Sequence, residues 1–583
     1  MFFQIIIIFT AHPSTVLYKK ASMKKFRIIF CLAAMLLPLS IILAQEVAQV
    51  PAQEVAQIPA QEKAPDYSAY ILTPKAPDTP RINGPKIYGA RPGSPFLFRI
   101  PATGIRPMTF EAKGLPKGLK LDPQTGIITG KAKKRGTYEV ALKATNALGT
   151  AERAFKIVIG DKIALTPPMG WSAWNCWGAG ITQEHCMETA KAFLEKDLVN
   201  YGWTYVNIDD GWQSGKRGGK YNAILPNKTF PDMKGLADYL HANGLKLGIY
   251  SAPWVGTYCN HIGSSCDDPD GKYWWVEQGD VDEYGRVDNT KIKRDEVWYF
   301  GKYSFARQDA LQWAEWGVDY LKYDWNIVDS WWLKDMRDAL LATGRDIVYS
   351  ISNHVHVIRG LELQQYAETW RTGGDIRDNW KSLYNNGVSG RNEWWGSFTG
   401  PGSWPDADML VVGKVGWGKE GKRDHELHWT KLTPDEQYTH ITLWSILGST
   451  MMIGCDMSEL DDFTLSLLTN NEVIDVNQDP LGIQGIRYVG DNTYVTYIKP
   501  LEDGSLAVAM INLSDEPKKI GFRPHSLALI GRQTIRDLWR QQDIAEVGQT
   551  ERWETEVAPH GTVFVKVTPE IKNERLTGKY PYR

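Results

Sequence analysis

The chain has 583 residues, and at about 100–200 residues per domain that length predicts three or four, an α/β barrel alone taking about 250. With 43% hydrophobic and 11% aromatic residues there is material for real cores, and a formal net charge of -2, from 66 basic against 68 acidic residues, leaves none of the footprint of a nucleic-acid binder. The 24 tryptophans are mostly packing material, although sugar clefts also use flat aromatic faces with a polar handle.

Residues 1–44 read as an export region. Met23, Lys24, Lys25 and Arg27 supply a positive start, an apolar run follows from 28 to 43, and Ala44 and Gln45 offer a cleavage point. The run is short for a stable membrane span, and Met23 is a second candidate start. Outside it stand Cys176, Cys186, Cys259, Cys266 and Cys455. An exported protein can form disulfides, and Cys259 and Cys266, which share a loop, are the expected pair. No CxxC or HExxH spacing is present, so no metal is expected.

Two octapeptides, QEVAQVPA (45–52) and QEVAQIPA (53–60), alternate Pro with small and polar residues, so 45–80 is expected to be an extended, disordered linker. From 81 to 161 short alternating runs such as FLFRI (96–100) and YEVAL (138–142), separated by the turn signals LPKG (115–118) and PQTG (123–126), predict an all-β module. The run GLPKGLKLDPQTGIITG (114–130) resembles the Ig-like modules of bacterial surface proteins and glycosidases. That resemblance implies a spacer, or a surface or polysaccharide contact, and not catalysis.

From 163 to 486 short β-rich runs alternate with amphipathic ones. Strands are expected at 169–174, 205–210, 245–252, 320–325, 346–352, 368–373, 408–412 and 451–455. In the first helical stretch Met187, Ala190, Leu194 and Leu198 fall on one face. Another stretch runs from Ser304 to Trp316 and stops at Gly317. Strands each followed by helix predict an α/β fold, a (β/α)8 TIM barrel rather than an open doubly wound sheet. Residues 487–569 return to alternating runs and predict a C-terminal antiparallel β domain, with a tail at 570–583.

Polar residues gather at the C-terminal ends of these strands: Asp209 and Asp210, Lys322 and Asp324, Arg371 and Asp375, Asp406 and Asp408, Asp456. In a barrel those ends converge on the face where active sites are built. Crowded carboxylates raise one another's pKa, so they need a partner or a purpose. Glycoside hydrolysis is such a purpose. One carboxyl attacks or activates water, and the other protonates the leaving oxygen. Position alone does not pick the pair, because each Asp also fits a helix cap or a rim ion pair.

The runs PMGWSAWN (168–175), NIDDGW (207–212), LKLGIY (245–250), LKYD (321–324), WRTGGD (370–375), WPDADML (404–410) and NQDPLG (477–482), in this order, resemble glycoside hydrolase family 27. Its members are mostly α-galactosidases, metal-free and retaining, with a barrel followed by a β domain. The resemblance implies Asp324 as nucleophile and Asp375, four residues after Arg371, as general acid/base. Asp378 has the wrong offset and is read as helix-start chemistry. Asp209 and Asp210 are implied as ligands of the axial 4-hydroxyl and the 6-hydroxyl of the sugar. Lys322 is implied as a further hydroxyl ligand whose charge keeps Asp324 ionised, Arg371 as a 2-hydroxyl ligand, and Trp174 and Tyr250 as pocket walls. The implied substrate is a carbohydrate, and no cofactor is implied. Trp394 and Trp395 either border the cleft or pack.

The run VYSISN (348–353) departs from the family pattern. Many α-galactosidases carry CEW at its last three positions, with the Glu on the 2-hydroxyl, and here Ser352 takes that place. A smaller residue there also admits a 2-acetamido group, so α-N-acetylgalactosaminidase is an alternative, as is β-L-arabinopyranosidase. Asn353 does not continue the acetamido pattern, and Asp210, able to hold a 6-hydroxyl, favours the hexose. The Cys that many members place after the nucleophile is absent, Trp325 and Asn326 standing there, which leaves Cys259 to Cys266. A non-catalytic carbohydrate-binding surface protein is the competing class; such proteins lose a catalytic carboxylate, and both positions here are Asp.

Overall fold

The computed structural model describes residues 63–353, 355–389, 391–417 and 427–571. The export region, the octapeptide repeat and the tail beyond 571 lie outside the described residues. Residues 63–80 differ from the disorder expected of them. Tyr67, Ile71 and Leu72 pack against the main core, and Tyr67 meets Phe463 edge-on at 5.3 Å. The Tyr438 hydroxyl accepts from the Leu72 N–H (3.0 Å) and donates to the Tyr70 carbonyl (2.7 Å). A polar, Pro-rich composition concealed three anchors, each of which buries apolar surface.

The following β module is a sandwich. A four-stranded sheet (Ile87–Ala90, Gly149–Ile159, Gly136–Asn146, Thr109–Lys113) faces a three-stranded one (Phe96–Arg99, Ile127–Gly130, Leu119–Leu121). Phe96, Phe98, Phe110, Val140, Leu142, Phe155 and Ile157 fill the space between them. One side of the module is docked on the barrel. Arg91 pairs with Asp346 (3.3 Å) and Glu368 (3.0 Å), Arg99 donates to the Asn243 carbonyl (3.1 Å), and Asn83 donates to the Asn200 carbonyl (2.9 Å). These barrel residues precede strands, so the contact lies at the N-terminal end of the barrel. Any polysaccharide contact by the module would use its other faces.

The barrel strands are β1 (Met169–Ser172), β2 (Tyr205–Asn207), β3 (Lys246–Ser251), β4 (Val318–Asp324), β5 (Val348–Ser352), β6 (Thr369–Arg371), β7 (Trp404–Asp406) and β8 (Met451–Ile453). They form one parallel eight-stranded sheet in the order β7-β6-β5-β4-β3-β2-β1-β8. Strand seven was expected at 408–412. The paired segment is earlier, and Asp408 then turns into a left-handed conformation (φ 82°). Leu410 closes the barrel beyond that turn, its N–H donating to the Met452 carbonyl (2.7 Å) and its carbonyl accepting from the Gly454 N–H (2.9 Å).

Every second residue of β4 serves the lumen at a different height. Tyr320 joins Tyr205, Val348 and Met452 in an apolar plug, while Lys322 and Asp324 line the cavity above. Gly248 keeps the lumen open for polar groups, since a Cβ there would stand 1.9 Å from the Asn207 Oδ1.

Helices pack outside the sheet. The first, α1 (Gln183–Glu195), buries Cys186, Thr189, Ala190 and Phe193, and leaves Met187 38% exposed. Of the expected face Ala190 is buried, Leu194 packs on the core and Leu198 is buried just past the helix, while Met187 is turned out and Cys186 and Thr189 take the inner positions beside it. The stop at Gly317 (φ 99°) closes α2 (Ala306–Trp316). Of α3 (Pro434–Ile446) every residue but Asp435 is buried. One side faces the barrel, and on the other Trp539 Nε1 donates to Thr442 (3.0 Å) and Thr439 donates to the His560 carbonyl (2.7 Å). These partners belong to the C-terminal domain, a six-stranded antiparallel sheet covered by the pair Lys518–Phe522 and Trp553–Val557.

Candidate active site

A cavity of about 370 Å³ opens at the C-terminal ends of the strands. The structure brings all the sequence-predicted site residues to it: Trp174, Asp209, Asp210, Tyr250, Lys322, Asp324, Ser352, Arg371 and Asp375. Parallel register places them side by side, with Tyr250 beside Lys322 and Asp324 beside Ser352.

Asp324 ends β4 and is buried. The Tyr250 hydroxyl donates to its Oδ2 (3.1 Å), and the Asn353 amide donates to its Oδ1 and to the Tyr258 hydroxyl (3.1 Å). Lys322 does not touch it; the ammonium donates to Asp209 Oδ2 at 2.9 Å. Burial pushes the Asp324 carboxyl up to about 6 although Lys322 pulls it down. Lys322 therefore acts in the direction expected of it, favouring the ionised form, while burial acts the other way and is the larger effect.

Asp209 also accepts from Ser172 (3.2 Å). Asp210 is held by the Cys259 N–H (2.7 Å) and the Thr257 hydroxyl (2.9 Å). Burial still pushes it up to about 7, those two donors opposing. Arg371 bridges the other side, donating to Asp375 (3.1 Å) and pairing with Asp408 (3.1 Å). Asp375 is 72% exposed at the cavity mouth. Its partial desolvation is outweighed by Arg371 and Lys322, which hold the carboxyl below its ordinary value. Asp408 accepts from the Ile376 N–H (2.7 Å), and burial raises it to about 6 against the pull of Arg371.

Other expectations change. Asp378 is no helix cap. It is buried, accepting from His428 (2.9 Å) and the Lys431 N–H (3.1 Å), while Asn379 caps the next helix. The Cys259–Cys266 disulfide does not form, and the described cysteines are free. Cys259 lines the catalytic cavity and is tied by its backbone to Asp210, whereas the Cys266 thiol donates to the Lys272 carbonyl (3.2 Å) from a strand paired with Tyr303–Ser304. Trp395 is core, tilted against Trp370 at 5.7 Å, and Trp394 is 60% exposed. Sequence reasoning missed Tyr258, Asn260, Arg286, Asn289, Arg294, Trp298, Arg377 and Trp417 as cavity walls. They sit in long loops, where neither period nor strand end marks a position.

A family model described as alpha galactosidase A matches residues 166–273 and 290–479, one described as the alpha galactosidase C-terminal beta sandwich domain matches 491–567, and an Ig-domain model matches 79–160. The alpha-galactosidase of Oryza sativa subsp. japonica is 31% identical over 428 residues, 72% of this chain and 88% of its own. A candidate alpha-galactosidase/melibiase of Bacteroides fragilis with a solved structure is 34% identical (TM-score 0.71) and covers 86% of this chain and 99% of its own. A β-L-arabinopyranosidase of Geobacillus stearothermophilus is 28% identical (TM-score 0.58) over 70% of this chain and 98% of its own.

Proposed function

We propose, for a chain that belongs to the alpha-galactosidase family, glycoside hydrolase family 27, that it removes terminal α-linked galactose by a retaining double displacement. The ionised Asp324 attacks the anomeric carbon as the glycosidic bond breaks, and Asp375 gives its proton to the departing oxygen. Asp375 then takes a proton from water, whose oxygen attacks the same carbon and frees Asp324.

The observation that carries this reading is one cavity holding two carboxyls in unlike surroundings. Asp324 is buried and fixed by two donors, and Asp375 is exposed at the mouth beside Arg371. In the free protein their shifts run against these roles, Asp324 up and Asp375 down. Sugar binding supplies the reversal. A sugar hydroxyl that accepts from Arg371 loosens its grip on Asp375, and water expelled from the mouth raises the same carboxyl. Positive charge developing at the anomeric carbon favours ionised Asp324.

A 2-acetamido sugar and a β-L-arabinopyranoside are the alternatives. Asp210, buried with one donor on each oxygen, keeps lone pairs for a hydroxyl at carbon six, which supports the hexose. Turnover of p-nitrophenyl α-galactoside above its 2-acetamido and β-L-arabinopyranoside counterparts is expected, with the α-anomer as first product by NMR. Asp324→Ala is expected to lose about a thousandfold or more in kcat. Turnover of none of the three, or a first product of β configuration, overturns the reading. We also read the chain as exported, on the positive start and apolar run before Gln45; a mature N-terminus found at Met1 or Met23 counts against it.

A further inference from the structure

The β module is charged unlike the rest of the chain. Residues 81–161 hold 15 Lys and Arg against five Asp and Glu, whereas the whole chain has a net charge of -2. The sandwich stands on the barrel by one edge. Its edge strands Ile87–Ala90 and Phe96–Arg99 carry barrel contacts, Tyr88 bonding to Lys246 and Arg99 donating to the Asn243 carbonyl (3.1 Å). Thr109–Lys113 and Leu119–Leu121 form the opposite edge of each sheet, and the Phe110 N–H ties the two together by donating to the Pro123 carbonyl (2.9 Å). Six lysines follow this free edge. Lys113 ends one strand, Lys117 lies in the connection, and Lys120 is on the other strand. Lys131 is held beside Gly118, whose carbonyl accepts from its N–H (3.0 Å), and Lys133 and Lys134 continue from it. All six are exposed, and none forms an ion pair among the described residues. The module's carboxylates are engaged elsewhere. Glu111 pairs with Lys143 (3.1 Å) and Asp161 with Arg135 (2.6 Å). Asp122 serves its own turn, accepting from the Gln124 N–H (2.8 Å), and Glu139 and Glu152 stand across from Lys156 and Lys143.

We propose that this lysine edge is a docking surface for an acidic polysaccharide, a chain of uronic acids, and that it tethers the protein beside its substrate. Lysines on an exposed edge also keep foreign strands from pairing there. That duty needs charge only on the two edge strands, and Lys117, Lys131, Lys133 and Lys134 lie outside them. Ammonium groups are compact point charges without the planar fork of arginine, so a row of them suits a repeated charge better than one precisely shaped group. A polyuronate carries a carboxylate on every ring and supplies such a repeat. The partner is read as a carbohydrate because the same chain carries a glycosidase barrel, and in this the inference rests on the galactosidase reading. The module meets the N-terminal end of that barrel and the cavity opens at the other. Binding at the module thus leaves the cavity free for neutral galactosides and raises their local concentration.

The test measures binding of the whole chain to polygalacturonate and to its methyl ester, which has the same backbone without the charge. The acid is expected to bind tighter by about tenfold or more, and the difference should shrink as sodium chloride is raised from about 50 to about 300 mM. In the variant Lys117→Gln/Lys120→Gln/Lys131→Gln/Lys133→Gln, affinity for the acid should fall by about tenfold or more. Its melting temperature and its turnover of p-nitrophenyl α-galactoside should stay those of the native protein. Equal binding of the acid and the ester overturns the inference. So does a variant that binds the acid as the native protein does; if that variant also self-associates, the lysines are edge guards only. Vesicles of phosphatidylglycerol and phosphatidylcholine bound as tightly as polygalacturonate overturn the choice of a polysaccharide. Binding is read without turnover, so the two readings fail separately. Polygalacturonate bound as expected by a protein that hydrolyses no galactoside overturns the galactosidase reading and leaves the docking surface standing.

Discussion

Asp324 lies between the Tyr250 hydroxyl and the Asn353 amide, and burial brings its carboxyl to about 6. A nucleophile must be ionised, so kcat/KM for the free protein is expected to fall as pH drops through about 6, with protonation of Asp324 setting the acid limb. Asn353 takes a left-handed backbone (φ 65°) just past β5, and its amide donates to the nucleophile. Donation to the charged form lowers a carboxyl's pKa. Asn353→Ala is therefore expected to move the acid limb to higher pH and to reduce kcat/KM about tenfold or more. A pH–rate profile checks both, and an unmoved acid limb would show that Asn353 does not act on Asp324. From the sequence, Ser352 and Asn353 were legible as the place where the family pattern breaks, but not as a hydrogen-bond donor to the nucleophile. That role depends on a positive φ, which Asn tolerates without announcing it.

Among the elements, β6 carries two loads at opposite ends. Arg371 at its C-terminal end faces the cavity, while Glu368, just before its first residue, is buried and binds Arg91, Arg337 (2.8 Å) and the Tyr349 N–H (2.9 Å). Removing Glu368 leaves two half-buried guanidinium groups with a lost partner. Glu368→Ala is expected to cost about 3 kcal/mol in urea unfolding, and Arg91→Ala about 1 kcal/mol, since Arg337 still holds the carboxylate. Both variants should keep the KM of the native protein, being at the far end of the barrel. Equal costs would mean that the Ig-like module's grip, and not the buried carboxylate, is what matters. The strands were legible because their apolar runs are continuous and their C-terminal ends polar. Strand seven was displaced because Asp408, Met409 and Leu410 look like strand but turn at Asp408. Helix α3 has no apolar stripe to read, since the barrel and the C-terminal domain bury its two sides.

At the scale of the whole molecule, the order of the β module, barrel and C-terminal β domain was legible in composition and period. The surfaces on which they meet were not. Nothing local to Arg91 or Ser94 points to Asp346, hundreds of positions away, and the free state of Cys259 follows from its loop wrapping Asp210, not from its spacing to Cys266. The molecule also collects carboxyls whose charge it disfavours. Burial raises Asp210 to about 7, and Asp324, Asp408 and Asp479 to about 6, each with smaller opposing pulls. In the unfolded chain such groups titrate near 4. Between about 4 and 7 the folded protein therefore binds protons that the unfolded chain does not, and stability falls as pH rises through that window. His440 acts oppositely, since burial lowers it to about 3 and the unfolded imidazole gains a proton below about 6.5, but it is one group against four. Asp503 is also raised by burial, yet Lys566 and Ser505 outweigh this and hold it at about 2, so its contribution is present above about 4 and lost as pH falls towards 2. The melting temperature of the ligand-free protein is expected to be higher at pH 5 than at pH 7.5, and to fall again in stronger acid. Asp210 titrates highest of the four, so Asp210→Asn should flatten the upper part of that decline. Thermal melts of both proteins at constant ionic strength decide it. A native melting temperature that rises from pH 5 to 7.5, or an Asp210→Asn variant with an unchanged slope, would show that the cavity's carboxylates are better solvated or better paired than their burial implies.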